Sequence, residues 1–102
     1  MNSKLFIVIL TYIVPLSVID TLAPEHVKFL DKYYALNKFI FSGRQVPRTG
    51  GVILCTGESV ERVDEILNED PFRANLAAEY KIIEVSPTKY SEAFKTVLEG
   101  IA

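Results

Sequence analysis

Ten consecutive residues near the N-terminus, Leu5 to Val14 (LFIVILTYIV), are apolar or aromatic apart from Thr11, with Lys4 before them and Pro15 after. Few folds can accommodate such a run. It is half the ~20 residues that a transmembrane helix needs. A basic residue followed by a short apolar stretch also has the layout of an export signal. However, Asp20 and the bulky Thr21 spoil the nearest cleavage-like site, Thr21-Leu22-Ala23. The composition of the run decides between these readings. Ile7, Val8, Ile9, Thr11, Tyr12, Ile13 and Val14 are β-branched or aromatic, which suits a strand. A run with no polar alternation is a strand covered on both faces. We therefore expect a central strand over Lys4–Val14, no membrane association and a cytoplasmic location.

The rest of the composition agrees with one folded domain over residues 1–102, with a core of about 4–87 and a helical tail of about 88–102. A hydrophobic content of 49% excludes disorder, and a net charge of -2 excludes a nucleic-acid binder held by charge. Surface scaling gives a folded chain of this mass about 5,800 Å² of exposed area, leaving room for one modest core. The mean hydropathy of +0.21 is high for a small monomer. Without an export segment, the excess points to apolar surface buried against a second copy. Cys55 is the only cysteine and lies in the apolar run Val52–Cys55, as a buried small hydrophobe would. One cysteine and one histidine are too few for a zinc site.

Beyond the first strand, the spacing predicts a helical region over Leu16–Leu36, whose main segment begins at Pro24 because proline suits a first helical turn. Phe39–Ser42 reads as a second strand, Gly43–Gly51 as a turn-rich loop and Val52–Thr56 as a third strand. Ser59 caps the next helix, with Val60, Val63 and Leu67 as its apolar stripe, and Asp70-Pro71 ends it. Ala78–Val85 forms a fourth strand. Tyr90, Phe94, Val97 and Ile101 fall at helical spacing near the C-terminus. The order β-α-β-β-α-β is that of an α+β, ferredoxin-like antiparallel sheet with helices on one face. Its other face needs a cover.

The sole histidine, His26, is the one side chain whose ordinary pKa lies near neutrality. In a first helical turn the macrodipole would favour the neutral ring that a general base needs. Asp70 is a candidate partner, because a carboxylate fixes an imidazole's tautomer. Alternatively, it simply caps a turn ahead of Pro71. The segment Ser42–Gly51 carries Arg44 and Arg48, which suit a carboxylate or phosphate group, or else solubilise a hairpin. It lacks the GxxxxGK[ST] pattern of a P-loop. Phe39 and Phe41 are expected in the core rather than as stacking platforms for bases.

These residues together resemble the YciI-like (YCII-related) family. The matching stretches are Pro15-Leu16 through Asp20, His26 with Phe29-Leu30, Ser42-Gly43, Gly50–Ile53, Asp70-Pro71-Phe72, and Glu84-Val85 before Pro87. The resemblance implies a ferredoxin-like domain that pairs as a dimeric α+β barrel. It also implies an active site built on a His–Asp pair, which maps onto His26 and Asp70. Related folds include muconolactone isomerase, cofactor-free monooxygenases and a dehydrochlorinating lyase. Some members carry a GTP cyclohydrolase label, but this chain lacks the Cys/His set that a zinc cyclohydrolase would use. Ala23 stands where many members have arginine, and Arg44 where many have proline.

The function expected on this basis is a cofactor-free, metal-free isomerase- or lyase-like enzyme acting on a small organic anion. His26 moves the proton and Asp70 orients it, Ser42 donates a hydrogen bond, Arg44 or Arg48 holds the anion, and Phe72 walls the pocket. The chain would form a homodimer or a higher homo-oligomer. The competing functions are a metabolite-binding module without catalysis and a structural oligomer without a ligand.

Overall fold

A computed structural model describes residues 4–101. The elements are β1 (Lys4–Tyr12), α1 (Leu16–Ala35), β2 (Phe39–Arg44), β3 (Gly50–Gly57), α2 (Val60–Leu67), α3 (Pro71–Ala74), β4 (Ala78–Val85) and α4 (Glu92–Ile101). The strands form one sheet in the order β2-β3-β1-β4. Every neighbouring pair is antiparallel. This is the ferredoxin-like α+β arrangement that the element order implied. It places β1 between two partners, as its continuous apolar sequence requires.

Alternation along β1 sorts its side chains. Phe6, Val8 and Leu10 are buried and join Ile19 and Phe29 of α1, Ile53 and Cys55 of β3, and Val63, Ile66 and Leu67 of α2 in one core. Ile7 and Ile9 point the other way, opposite Leu54 and Val52 on β3 and Ile83 and Lys81 on β4. Leu5 and Leu54 on that outer face are also buried, but neither joins this cluster. Cys55 is buried, and burial pushes its thiol up to about 12, so no thiolate is present near neutrality. No described helix is long and apolar enough to cross a membrane.

The caps follow local chemistry. Ser59 accepts a hydrogen bond from the Arg62 amide at 3.1 Å, as expected of an N-cap. α1 ends where Asn37 adopts a left-handed φ of 58°. There the Lys38 and Asn37 amides bond back to the Tyr33 and Tyr34 carbonyls.

Four expectations need correction. The first strand stops at Tyr12, two residues before Val14. Pro24 does not begin a helix but lies inside the continuous α1. The turns before it persist because Ile19 is buried in the core and Leu22 packs against it, offsetting the missing amide bond. The loop after β2 is shorter than read, since Gly43 and Arg44 stay paired with Val52 and Gly51. Finally, Phe39 is buried but Phe41 is 53% exposed. A register shift between them pairs Phe39 with Cys55 and Phe41 with Leu54. Two residues spaced for the same face thus point to opposite faces. The side chain of Ile101 lies outside the described set.

Candidate active site

The register shift in β2 shapes the site. Beyond it, Ser42 aligns with Ile53 and Arg44 with Gly51, in the rows that contain the inward-facing Val8 and Leu10. Both residues therefore reach the space between α1 and the sheet. A cavity of about 210 Å³ opens there, and His26, Ser42, Arg44, Arg48, Phe72 and Tyr12 line it. An apolar cavity of about 150 Å³ holds a benzene molecule, so this volume suits a single substituted ring.

His26 occupies the middle of α1 rather than a first turn, so the macrodipole argument for a neutral ring does not apply. Its environment is set by side chains instead. His26 Nδ1 lies 2.8 Å from Asp70 Oδ1. Asp70 is completely buried. Its Oδ1 also accepts the Phe72 amide at 3.0 Å, and its Oδ2 accepts the Tyr80 hydroxyl at 2.5 Å. A carboxylate surrounded by three donors fixes Nδ1 as the protonated nitrogen of a neutral His26. Nε2 is left with a lone pair for a molecule in the cavity. Phe72 stacks on the ring at 4.1 Å and 14°, holding its plane.

The two sequence readings of Asp70 are both realised. It caps α3 through the Phe72 amide and pairs with His26 through the same oxygen. Pro71 at the start of α3 sets this geometry, since its fixed φ suits a first helical position. Burial above all, then the neighbouring Asp70 charge, pushes the Tyr80 phenol well above its ordinary range, so it stays a donor.

The remaining residues divide by what holds them. Ser42 Oγ lies 2.6 Å from the Tyr34 hydroxyl. Arg48 Nη2 donates to Asp20 Oδ1 of α1 at 2.6 Å. Arg44 is exposed and has no ion-pair partner among the described residues. Ala23 lines the same cavity as Arg44 and Arg48.

Sequence reasoning missed Tyr80, Tyr34, Tyr12 and Asp20. Tyr80 had one available signal. It lies two residues from the inward-facing Ile82, and an inward tyrosine needs a partner for its hydroxyl.

The YCII-related domain model matches residues 5–86, which include every candidate residue above. The chain belongs to this family. No curated protein matches it significantly in sequence. Among solved structures, it is similar to the 5-chloro-2-hydroxyhydroquinone dehydrochlorinase of Burkholderia phenoliruptrix, solved in complex with 2,5-dihydroxybenzoquinone. That match has a TM-score of 0.68 at 19% identity and covers 87% of this chain and 97% of the other. At this identity the likeness shows the YCII-related fold and no more.

Proposed function

We propose that this YCII-related protein is a cofactor-free acid–base enzyme that isomerises, or eliminates a group from, a small ring-sized organic anion. One observation carries the reading. A buried carboxylate with three donors holds the only histidine through Nδ1, and that histidine lines a cavity of ring size. Nε2 takes a proton from the bound molecule, and the Asp70 carboxylate stabilises the imidazolium that results. In an isomerisation, the imidazolium returns that proton to another atom of the same molecule. In an elimination, the leaving group departs with its bonding electrons while the proton stays on the ring until solvent removes it. The structural neighbour is a dehydrochlorinase, an enzyme of an elimination reaction. Either hydroxyl of the Tyr34–Ser42 pair can donate; with Tyr34 as donor, the Ser42 proton is free for an oxygen of the substrate. The same proposal seats a second copy on the outer sheet face and makes the protein a homodimer.

The test is turnover of 5-chloro-2-hydroxyhydroquinone and related hydroxylated rings, followed by chloride release and by deuterium exchange into recovered substrate. The wild-type protein is expected to show one of these reactions. His26→Ala is expected to slow it by about 10²–10⁴-fold. Equal rates for the two proteins would exclude His26 as the proton-transfer group.

A further inference from the structure

We propose that Arg48, and not Arg44, is the anchor for the substrate's anionic group, at the end of the cavity away from the His26 imidazole. This rests on the reading of the cavity as a substrate site and adds which anion the site selects and where it lies.

The first observation is an unsatisfied donor. Among the described residues, Arg48 Nε is the one buried side-chain nitrogen or oxygen without a hydrogen-bond partner. A guanidinium has five N–H donors. Asp20 engages one nitrogen of this fork, Nη2, at a single carboxylate oxygen. The arrangement fixes the guanidinium in place and leaves other donors free. A buried donor without an acceptor is destabilising, the more so when it is charged. Nε itself is shielded, but the Arg48 side chain is 28% exposed. An anion in the cavity can therefore meet the open part of the fork and offset the charge that Asp20 only partly satisfies.

The second observation is the wall between Arg48 and His26. The Tyr12 phenol lies beside the Arg48 guanidinium. The Tyr12 ring meets Phe72 edge to face at 5.9 Å, and Phe72 stacks on His26 at 4.1 Å. An unbroken aromatic surface thus runs from the cation to the acid–base nitrogen. Asp20, which holds Arg48, is six residues before His26 on α1, or about 9 Å along the helix axis. A flat ring with an anionic group at one end and its reacting atom at the other fits this surface. Arg44 has no comparable partner among the described residues, so ordering its long side chain on a ligand would cost more.

The matched pair 4-hydroxybenzoate and 4-hydroxybenzamide tests the proposal. They share a ring and a hydroxyl and differ in charge at one end. Affinities are read from amide chemical-shift titrations, with His26 resonances reporting occupancy of the cavity. The wild-type protein is expected to bind the benzoate at least tenfold more tightly. Arg48→Met should reduce that preference to less than twofold. Arg48→Lys, which keeps the charge and a partner for Asp20 but loses the fork, should retain about threefold and guards against loss of fold in the methionine variant. If Arg44→Met erases the preference while Arg48→Lys keeps it, Arg44 is the anchor and the proposal fails. Equal affinity of the wild type for both rings also overturns it, leaving the His26–Asp70 reading intact. If neither ring perturbs His26 at millimolar concentration, the cavity reading fails as well.

Discussion

The residues that matter most at the site are held by groups remote from them in sequence. His26 and Asp70 are 44 positions apart, and only the fold brings them to 2.8 Å. Residue type alone made both candidates, because one is the sole histidine and the other precedes a proline. Tyr80 shows what residue type cannot reveal. Its phenol closes the last open side of Asp70, so Tyr80→Phe leaves a buried carboxylate oxygen without a donor. That should lower stability at pH 7 by about 1–3 kcal/mol, measured by urea unfolding. The pH dependence has a definite sign. The folded phenol is raised above the unfolded value of about 10. Its contribution is therefore complete below pH 10 and is lost as pH rises further, when the unfolded chain ionises first. Tyr80→Phe should be less stable at neutral pH and show a flatter alkaline limb. A variant as stable as wild type at pH 7 would mean that the hydroxyl contributes nothing to holding Asp70. The His26 tautomer provides a readout that stability does not move. Nitrogen-15 shifts should show Nδ1–H in the neutral ring of the wild type and its loss in Asp70→Asn, whose amide can donate to Nδ1.

Among the elements, the strands and caps with strong local signals were legible, and the irregular joins were not. β1 was evident from its β-branched run and α2 from Ser59 and its apolar stripe. The register shift in β2 leaves no sequence mark, yet it sends Phe41 outward and turns Ser42 and Arg44 toward the cavity. α1 passes through Pro24 because tertiary burial of Ile19 outweighs a local break, which helix propensity alone cannot foresee. The β1–β3 join makes a sharper demand at Gly50, which pairs with Thr11. A Cβ there would collide with the Leu10 carbonyl oxygen, which is backbone and cannot rotate away. Gly50→Ala should cost about 2–3 kcal/mol through forced separation of the two strands. Gly43→Ala is the control, since a Cβ at that position meets nothing within 4 Å. Its stability should lie within about 0.5 kcal/mol of wild type. Similar unfolding midpoints for the two variants would show that the strands separate without cost.

For the whole molecule, the hydropathy excess that began with β1 becomes a question of which surface is left uncovered. The exposed area is 6386 Å², about 10% above the ~5,800 Å² that scaling gives for a chain of this mass. The sheet contributes to this excess on one side only. Ile7, Ile9, Phe41, Val52 and Ile83 share the outer face, and none belongs to the core. α4 also adds nothing to the core among the described side chains. A contiguous apolar face of this kind marks an association surface on a soluble domain. A sheet meets a sheet well, because two flat, similarly twisted faces interdigitate about 10 Å apart. A second copy offers a face of the same chemistry, and twofold pairing closes without leaving a further sticky edge. The expected species at tens of micromolar is therefore about twice the 11.5 kDa of the chain by sedimentation. Phe41→Glu should shift that equilibrium to monomer by placing a charge within the joined faces, on the edge strand β2. Phe41 is outside the core and the cavity lining, so the monomeric variant should keep its circular dichroism and its His26–Asp70 signature. A wild-type protein that sediments as a monomer at that concentration would leave the outer face for another partner and remove the homodimer from the proposal. A dimer that survives Phe41→Glu would place the contact elsewhere, with α4 the next element to truncate.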